Sequence, residues 1–188
     1  MARGTLDTEQ VVDAAAVIAD KEGIEAVTLT RVAEELGVRQ PALYRHVDSY
    51  DDLIRSLGLR GRELLSERLT AAAVGVSGAE AVRAVGRAWR EVVSDHPGLY
   101  AATDRYPCAD DPELEAAVDA IVDVIAQSLN GFDLDADASV HAARSLRSAF
   151  HGFAHLESGD GHPHPLDLDD SFDELLTLLI SGVRNLER

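Results

Sequence analysis

The sequence predicts an all-α protein, and three observations lead to this fold class. Apolar residues recur at spacings of three and four along most of the chain, and residues that cap or terminate helices stand between these segments. No segment alternates apolar and polar residues as a half-buried strand would. The 188 residues include 46% hydrophobic but only 5% aromatic side chains, a composition typical of a globular helical chain that can bury a core.

Three short helices are predicted in the first 50 residues. The residues that can begin or end them are Asp7 or Thr8 and Gly23 for the first helix, Thr28 and Gly37 for the second, and Pro41 for the third. The third helix is expected to run to about Val47. Two helices joined by a tight glycine turn, with a supporting helix before them, have the sequence shape of a helix-turn-helix.

Five further helical segments are predicted after residue 48. Asp48 or Ser49 can cap a long helix that ends within the small residues 71–79, the only linker-like stretch of the chain. The next helix carries Val82, Val85, Trp89 and Val92, and a short helical turn at Leu99–Thr103 follows it. Another helix begins at Asp111–Glu113. A fourth covers about 135–157, with Val140, Leu146, Phe150 and Phe153 facing inward, and the last runs from Phe172 to Leu186.

The charge of the chain limits its partners. It has 34 acidic and 17 basic residues, a net charge of −17, so its mean field repels polyanions and any contact with DNA must be local. Cys108 is the only cysteine, which excludes an intrachain disulfide. The amino terminus lacks the apolar run of a signal peptide and no stretch is long enough to span a membrane, so we expect a cytoplasmic protein.

Residues 37–47, GVRQPALYRHV, contain no carboxylate. On a helical wheel Leu43 and Val47 share the face that would pack inward, while Tyr44 and Arg45 point away from it. Arginine can donate to guanine edges, glutamine can pair with adenine, and tyrosine or histidine can bind phosphate. If this face binds DNA, a carboxylate here would face the phosphates, which explains why none is present. For this stretch alone, an ordinary solvated helix face is an equally good explanation.

A wider match concerns residues 5–57, which resemble the DNA-binding domain of the TetR family of transcriptional regulators. The resembling residues are Ala14, Gly23, the run VTLTRVAEELGV, the run QPALYRHV, and Leu53. The resemblance implies that the third helix enters the major groove of DNA. Carried over position by position, it implies base contacts by Arg39, Gln40, Pro41 and Arg45, and phosphate contacts by Thr28, Tyr44 and His46.

The chain departs from the family pattern in ways that concern affinity. Tyr50 stands where family members often have a lysine, so it offers a phosphate only a neutral hydroxyl. Arg3 is the only charged residue before Asp7, and residues 1–50 hold five basic and nine acidic side chains, a net of −4. With few phosphate contacts, the salt dependence of DNA binding by a dimer should have a slope no steeper than roughly −7.

The resemblance is looser beyond the helix-turn-helix. The run AFHGFAHLE at 149–157 is similar to a segment in the second-last helix of some family members. This implies a ligand-binding and dimerisation domain over 53–188, following a DNA-binding domain over 1–52, with the last two helices pairing across a two-fold axis. The expected interface residues are Ala142, Ala149, Gly152, Phe153, Leu175, Leu179 and Val183. Packing inside one subunit is the alternative role for these residues.

Ligand pockets are mainly apolar and aromatic with a few polar groups. On that basis the candidates for a small-molecule site are Trp89, His96, Tyr100, Tyr106, Phe150 and His151. Each of them also suits an ordinary core.

Two other functions compete with this prediction. His151 and His155 at i and i+4 could face one metal ion, with His162 and His164 nearby, but no cysteine pair or HExxH motif completes a site. An enzyme would need Cys108 or a serine as nucleophile. The carboxylates near Cys108 disfavour a thiolate, and no nucleophile elbow is present.

The sequence therefore predicts a homodimeric, ligand-responsive repressor that binds a pseudo-palindromic double-stranded DNA operator and is released by a small-molecule effector. We expect no catalytic residues, cofactor or membrane partner. The alternatives are a metal-sensing regulator that uses His151 and His155, and, more remotely, a small helical enzyme.

Overall fold

The computed structural model describes residues 6–186. Within this range the chain forms eight α-helices and two 3₁₀ helices and no β-strand, which confirms the all-α prediction. The α-helices are α1 (Thr8–Glu22), α2 (Leu29–Leu36), α3 (Tyr50–Ala73), α4 (Gly78–Asp95), α5 (Pro97–Ala102), α6 (Pro112–Ser128), α7 (Ala136–Ser158) and α8 (Leu168–Arg184), and the 3₁₀ helices are Ile24–Ala26 and Gln40–Arg45. None of the helices in this range combines the length and apolar character that spanning a membrane would need.

The predicted caps begin the first three α-helices. The Asp7 carboxylate accepts from the Gln10 backbone N–H at 2.8 Å, and the Gln10 side chain accepts from the Asp7 N–H at 3.2 Å, a reciprocal pair that satisfies two free donors. The hydroxyl groups of Thr28 and Ser49 each accept from a backbone N–H three residues further on, at 3.1 Å. Local sequence therefore fixes where these helices start.

The third helix differs from the prediction. Its residues form a 3₁₀ helix over Gln40–Arg45 rather than an α-helix to Val47. The Ala42 N–H donates to the Arg39 carbonyl and the His46 N–H donates to the Leu43 carbonyl, both at 2.8 Å and both spanning three residues. Because the segment has only six residues and Pro41 supplies no N–H, few bonds of the α type can form.

Two compact units make up the chain. Unit 1 comprises the chain up to Glu63 together with Asp95–Glu115, and unit 2 comprises Leu64–Ser94 with the chain from Ala116 onward. Helix α5 and the loop after it thus belong with the amino-terminal helices, although α4 lies between them in the sequence. The functional boundary expected between residues 52 and 53 stays a prediction.

In unit 1, α5 packs directly on α1. The Asp20 carboxylate on α1 accepts from the Leu99 backbone N–H at 2.8 Å and lies 2.9 Å from His96 Nδ1. Gly98 lies so close to the Ala19 carbonyl that no side chain has room there. A carboxylate from one helix therefore caps the start of the other, and a glycine permits their backbones to touch.

An ion pair between α3 and the start of α6 also belongs to unit 1. The Arg55 guanidinium donates to Asp111 through Nε at 2.6 Å and Nη2 at 2.8 Å, and to Glu113 at 2.7 Å. The Asp111 carboxylate also accepts from the Leu114 N–H at 3.2 Å. These bonds, chiefly those from Arg55, lower the pKa of Asp111 from 3.8 to about 2.

This lowered pKa predicts a specific acid sensitivity. Because the folded state favours the carboxylate of Asp111, the pair stabilises the protein above pH 3.8, and the contribution is lost as the pH falls from there toward about 2. We expect Asp111→Asn to lower the melting temperature at pH 6, with a deficit that shrinks as the pH falls from about 4 to about 2 and the wild-type carboxyl is protonated. Circular dichroism melts across this range would measure it.

The matched control is Asp110→Asn, which removes a neighbouring exposed carboxylate and should leave the pH profile of the melting temperature unchanged. If the melting-temperature deficit of Asp111→Asn stayed constant down to about pH 2, the pair would not govern acid stability.

Unit 2 has its core among the end of α3, α4, α6, α7 and α8. Its largest fully buried side chains include Phe150 and Phe172. Arg90 on α4 lies over the Phe172 ring at 5.2 Å and donates to the Glu157 carboxylate through two bonds of 2.6 and 2.7 Å. The prediction that Val140 points inward is wrong, since it is 48% exposed at the edge of an open cleft between α6 and α7.

Candidate nucleic-acid interface

A left-handed glycine places the 3₁₀ helix against α2. Helix α2 ends at Gly37 with φ 64° and ψ 33°, a conformation that glycine adopts without strain. The chain then turns within two residues into Gln40–Arg45. Leu43 and Val47, which are 0% and 2% exposed, hold the underside of this segment in the core of unit 1. Its opposite face is therefore solvent-exposed, as the helical wheel predicted.

Two arginines on this exposed face have no partner in the part of the chain that the structure describes. Within residues 6–186, the side chains of Arg39 and Arg45 make neither an ion pair nor a hydrogen bond, and both are exposed. The neighbouring Arg31, in contrast, donates to Glu22 at 2.7 Å and to Glu35 at 3.0 Å, and these bonds raise the pKa of Arg31. The two unpaired guanidinium groups remain available to an external acceptor.

A row of polar side chains runs beside them. The Thr30 hydroxyl donates to Gln40 Oε1 at 3.1 Å, and Gln40 Nε2 lies 3.4 Å from the Tyr44 hydroxyl. Tyr44 is 50% exposed, so its hydroxyl is accessible. Thr30 is a residue that the sequence reasoning missed. No sequence pattern identifies it, because its contact with Gln40 forms only when α2 and the 3₁₀ helix pack across the glycine turn.

The other predicted DNA contacts lie around this row. The Thr28 oxygen accepts the capping bond, which leaves its O–H free to donate to a phosphate. Pro41 is exposed and His46 is half-buried, while Tyr50 is 41% exposed at the first position of α3. Arg3, the only basic residue of the amino-terminal arm, lies outside the described residues. The eight predicted contacts are thus all in unit 1, and their role in DNA binding stays a prediction.

The predicted ligand residues divide between the two units. In unit 2, Trp89 and Phe150 are 3% and 1% exposed with ring centroids 6.3 Å apart, so they form core contacts with each other. His151 is half-buried, and its ring is stacked on that of His155 at 5.8 Å. The structure therefore brings Trp89 and Phe150 together in packing rather than around an open cavity.

The other three candidates are in unit 1. Tyr100 is 4% exposed, and His96 faces the carboxylate of Asp20. Tyr106 lines a cleft of about 340 Å³ in which Tyr50 is also a wall residue. Tyr106 is thus the one of these three that is seen to line an open cleft among the clefts of the described residues.

A second cleft, of about 300 Å³, lies between α6 and α7 in unit 2 and was not predicted. Its lining residues are Val122, Ile125, Ala126, Ser139, Val140, Ala143, Arg144 and Arg147. Four of these, on α7, have the spacing i, i+3, i+4 and i+7 that marks one helix face, and this spacing was the available signal. The mostly apolar wall with two guanidinium groups has the general character of a small-molecule site.

The predicted interface residues are only partly available to a second subunit. Ala142 and Val183 are 2% and 5% exposed in the single chain, so they belong to the core of unit 2 and have little surface left. Ala149, Gly152, Phe153, Leu175 and Leu179 are half-buried. Other apolar side chains on the same helices are more exposed, among them Leu156 at 48% and Leu178 at 69%, which were not among the predicted interface residues.

The histidines named for the metal alternative do not converge. His151 and His155 stack face to face, whereas His162 packs on Phe153 at a ring separation of 4.8 Å and His164 is exposed. Among residues 6–186, no group of three or more His, Cys, Asp or Glu side chains is arranged to hold a metal ion.

Comparisons with known proteins agree with this architecture. The family described as "Bacterial regulatory proteins, tetR family" matches residues 11–57, and the family described as "Tetracyclin repressor-like, C-terminal domain" matches residues 82–179. An uncharacterized HTH-type transcriptional regulator of Mycobacterium tuberculosis is 33% identical over 179 residues, which cover 95% of this chain and 82% of the relative.

Solved structures share the fold. The structure of BioQ with its double-stranded DNA operator has a TM-score of 0.70 at 23% identity, covering 96% of this chain and 99% of that one. The structure of ActR from Streptomyces coelicolor in complex with (S)-DNPA has a TM-score of 0.68 at 21% identity, covering 97% and 98%.

Proposed function

Because the chain belongs to the TetR family of transcriptional regulators, we propose that it represses transcription by binding a pseudo-palindromic operator as a homodimer and that a small-molecule effector releases it. The observation that carries the proposal is the pair of unpaired arginines, Arg39 and Arg45, on the exposed face beside the glycine turn. In a chain with a net charge of −17, two exposed guanidinium groups without a carboxylate suit a polyanionic partner.

The row Thr30–Gln40–Tyr44 supports base recognition by the same face. The side-chain amide of Gln40 accepts from Thr30 through its oxygen and donates to Tyr44 through its nitrogen, so these bonds orient it in the DNA-free protein. A glutamine amide can still form a bidentate pair with adenine, and Arg39 and Arg45 can donate to guanine. Thr28, Tyr44, His46 and Tyr50 would then supply phosphate contacts and Pro41 a surface against the groove.

Two proteins of the same fold support the two halves of the proposal. BioQ was solved with its double-stranded DNA operator, and ActR was solved with the small molecule (S)-DNPA. For the present chain, the polypeptide passes between the units three times, within α3, at the end of α4 and within α6, and these are the covalent connections through which an effector in unit 2 would act on unit 1. Such an effector must bind the two conformations with different affinity.

The experiment that tests the function is selection of binding sites from a random DNA pool at two salt concentrations. We expect recovery of a two-fold symmetric sequence with half-sites about one helical turn apart. The slope of log affinity against log salt should be no steeper than roughly −7. Recovery of no sequence above background from effector-free protein would contradict the proposal.

Arg45→Ala should weaken binding to the selected operator by about 1–3 kcal/mol and relax the preference at one base pair. The reason is that the guanidinium of Arg45 has no other partner in the described structure and would be committed to a base edge. Fluorescence anisotropy with operator variants measures both effects. Arg68→Ala removes an equal charge from an exposed position of unit 2 and is the control. An equal loss on every sequence would instead identify Arg45 as a phosphate contact.

Leu178→Glu should shift the protein from dimer to monomer without unfolding it. Leu178 is 69% exposed on α8, so a carboxylate is tolerated in the single chain but would be buried in a paired interface. Analytical ultracentrifugation measures the change. Leu166→Glu, at a 75% exposed position before α8, is the control and should leave the dimer intact. An unchanged sedimentation coefficient for Leu178→Glu would place the interface elsewhere.

A further inference from the structure

A buried arginine in unit 1 has no carboxylate partner among residues 6–186. Arg62 on α3 is 5% exposed. Its Nη2 donates to the backbone carbonyls of Thr103 and Tyr106 and lies 3.1 Å from Cys108 Sγ, while its buried Nη1 has no hydrogen-bond partner in the described structure. A guanidinium buried among neutral acceptors carries an uncompensated charge, which is costly in a protein interior.

Two glycines on α3 leave room for the side chain of Arg62 and for the backbone of α5. A Cβ at Gly58 would lie 2.9 Å from Arg62 Nη1, and a Cβ at Gly61 would lie 2.8 Å from the Leu99 carbonyl oxygen. These two glycines, one turn apart on α3, let α5 and the loop after it approach the helix closely. The contact between Arg62 and Cys108 is therefore a consequence of tight backbone packing.

The structure also changes the view of Cys108 given by the sequence. Cys108 stands among carboxylates in the sequence, and this arrangement predicts an unreactive thiol. In the structure, however, Asp111 is bound by Nε and Nη2 of Arg55, and the group that contacts the sulfur is the Arg62 guanidinium. A cation next to a cysteine sulfur is the setting in which thiolates react.

We propose that Cys108 is a site of covalent modification by soft electrophiles, with Arg62 as the counter-charge of its thiolate. Cys108 is half-buried, and its sulfur lies 3.1 Å from Arg62 Nη2. The thiolate sulfur adds to the β-carbon of an α,β-unsaturated carbonyl compound, the carbon–carbon π bond breaks, and the enolate takes a proton from water. No leaving group and no oxidant is needed. The product is a neutral thioether that no longer balances the charge of Arg62.

The adduct would act on the DNA-binding unit. The loop that carries Cys108 is fixed on both sides within unit 1, by an ion pair between Arg105 and Glu25 and by the pair of Arg55 with Asp111. A bulky group between these two attachments has to displace one of them or the loop backbone. This consequence rests on the proposed function, because it predicts weaker binding of the alkylated protein to its operator.

The test uses N-ethylmaleimide on the full-length protein. Cys108 is the only cysteine, so intact-mass spectrometry follows a single adduct. We expect the folded protein to react at least roughly tenfold faster than the same chain unfolded in urea at the same pH, since the thiolate is the reacting species. A folded protein that reacts no faster than the unfolded chain would overturn the assignment.

Arg62→Gln tests the counter-charge. It should bring the alkylation rate of the folded protein down to that of the unfolded chain or below it, while an undiminished rate in a folded Arg62→Gln protein would refute the role of Arg62. If circular dichroism shows that Arg62→Gln does not fold, Arg62→Lys, which retains the cation, replaces it as the test. The folded Arg62→Lys protein should be alkylated faster than the unfolded chain, and an alkylation rate no higher than that of the unfolded chain would refute the role of the cation.

Operator binding tests the regulatory consequence. Alkylated wild-type protein should bind the selected operator at least roughly tenfold more weakly, and Cys108→Ser protein exposed to the same reagent should bind as before. Unchanged affinity after complete alkylation would overturn the regulatory part. Absence of operator binding by the unmodified protein would count against the proposed function, and the alkylation rates would still decide whether Cys108 is an activated site.

Discussion

Phe150→Ala is expected to destabilise the protein by about 3–5 kcal/mol. Phe150 is 1% exposed, packs on Trp89 at a ring separation of 6.3 Å, and fills the space left by the missing side chain of Gly86. Truncation would remove an aromatic ring from a filled interior and leave a cavity that the helices on either side cannot close.

Chemical denaturation followed by tryptophan fluorescence is the direct measurement, because Trp89 is the only tryptophan and lies against the ring that is removed. Val140→Ala on the same helix is the control. It truncates a side chain that is 48% exposed, and its cost should stay below about 1 kcal/mol. If Phe150 instead lined an open effector pocket, its truncation would cost little more than this control, and the denaturation midpoint would hardly move.

Gly98→Ala is expected to cost about 3 kcal/mol, the upper part of the range for overpacking. An added Cβ would overlap the Ala19 carbonyl and lie 2.6 Å from the Asp20 backbone nitrogen. Both obstacles are backbone atoms of α1, which cannot rotate away as a side chain would. The substitution therefore forces α5 off α1 and disturbs the bonds that the Asp20 carboxylate makes to α5.

Gly152→Ala is the matched control, since it places the same methyl group on a helix position where nothing lies within 4 Å. It should raise stability by about 0.5–1 kcal/mol through helix propensity. Thermal and urea denaturation at one fixed protein concentration compare the two, with sedimentation to detect any change of oligomeric state. Equal melting temperatures for the two variants would mean that α1 and α5 are not in close contact.

The fold was predictable where it depends on neighbours in the sequence. The caps at Thr28 and Ser49 and the turn at Gly37 are set by side chains within a few residues, so single positions identify them. The type of the helix at Gln40–Arg45 was not predictable. Six residues contain too few turns for apolar spacing to separate a 3₁₀ helix from an α-helix.

The candidate site was predictable to a similar extent. The exposed face with Tyr44 and Arg45 follows from the buried positions of Leu43 and Val47. The bond from Thr30 to Gln40 spans the glycine turn, and no local pattern encodes it.

The burial and pairing of charged side chains were the features least predictable from the sequence. Arginine is usually exposed, so the sequence provided no reason to expect Arg62 in the interior. The pair of Arg55 with Asp111 joins residues 56 positions apart, and its existence depends on α5 and its loop returning to the amino-terminal helices. Contacts of this kind form only in the tertiary fold. The six ligand candidates were selected by residue type without knowledge of that fold, and they therefore fall into two different units.

The discontinuous make-up of unit 1 has a consequence for biosynthesis. The helices that carry the proposed DNA contacts leave the ribosome before α4, and α5 and its loop follow only after α4 has been made. Until then α5 does not cover the surface of α1 around Ala19 and Asp20. The nascent chain must close a loop that includes α4 before that surface is buried. We therefore expect the amino-terminal helices to acquire native stability late in translation, so that a ribosome stalled before residue 95 would hold them in a protease-sensitive state.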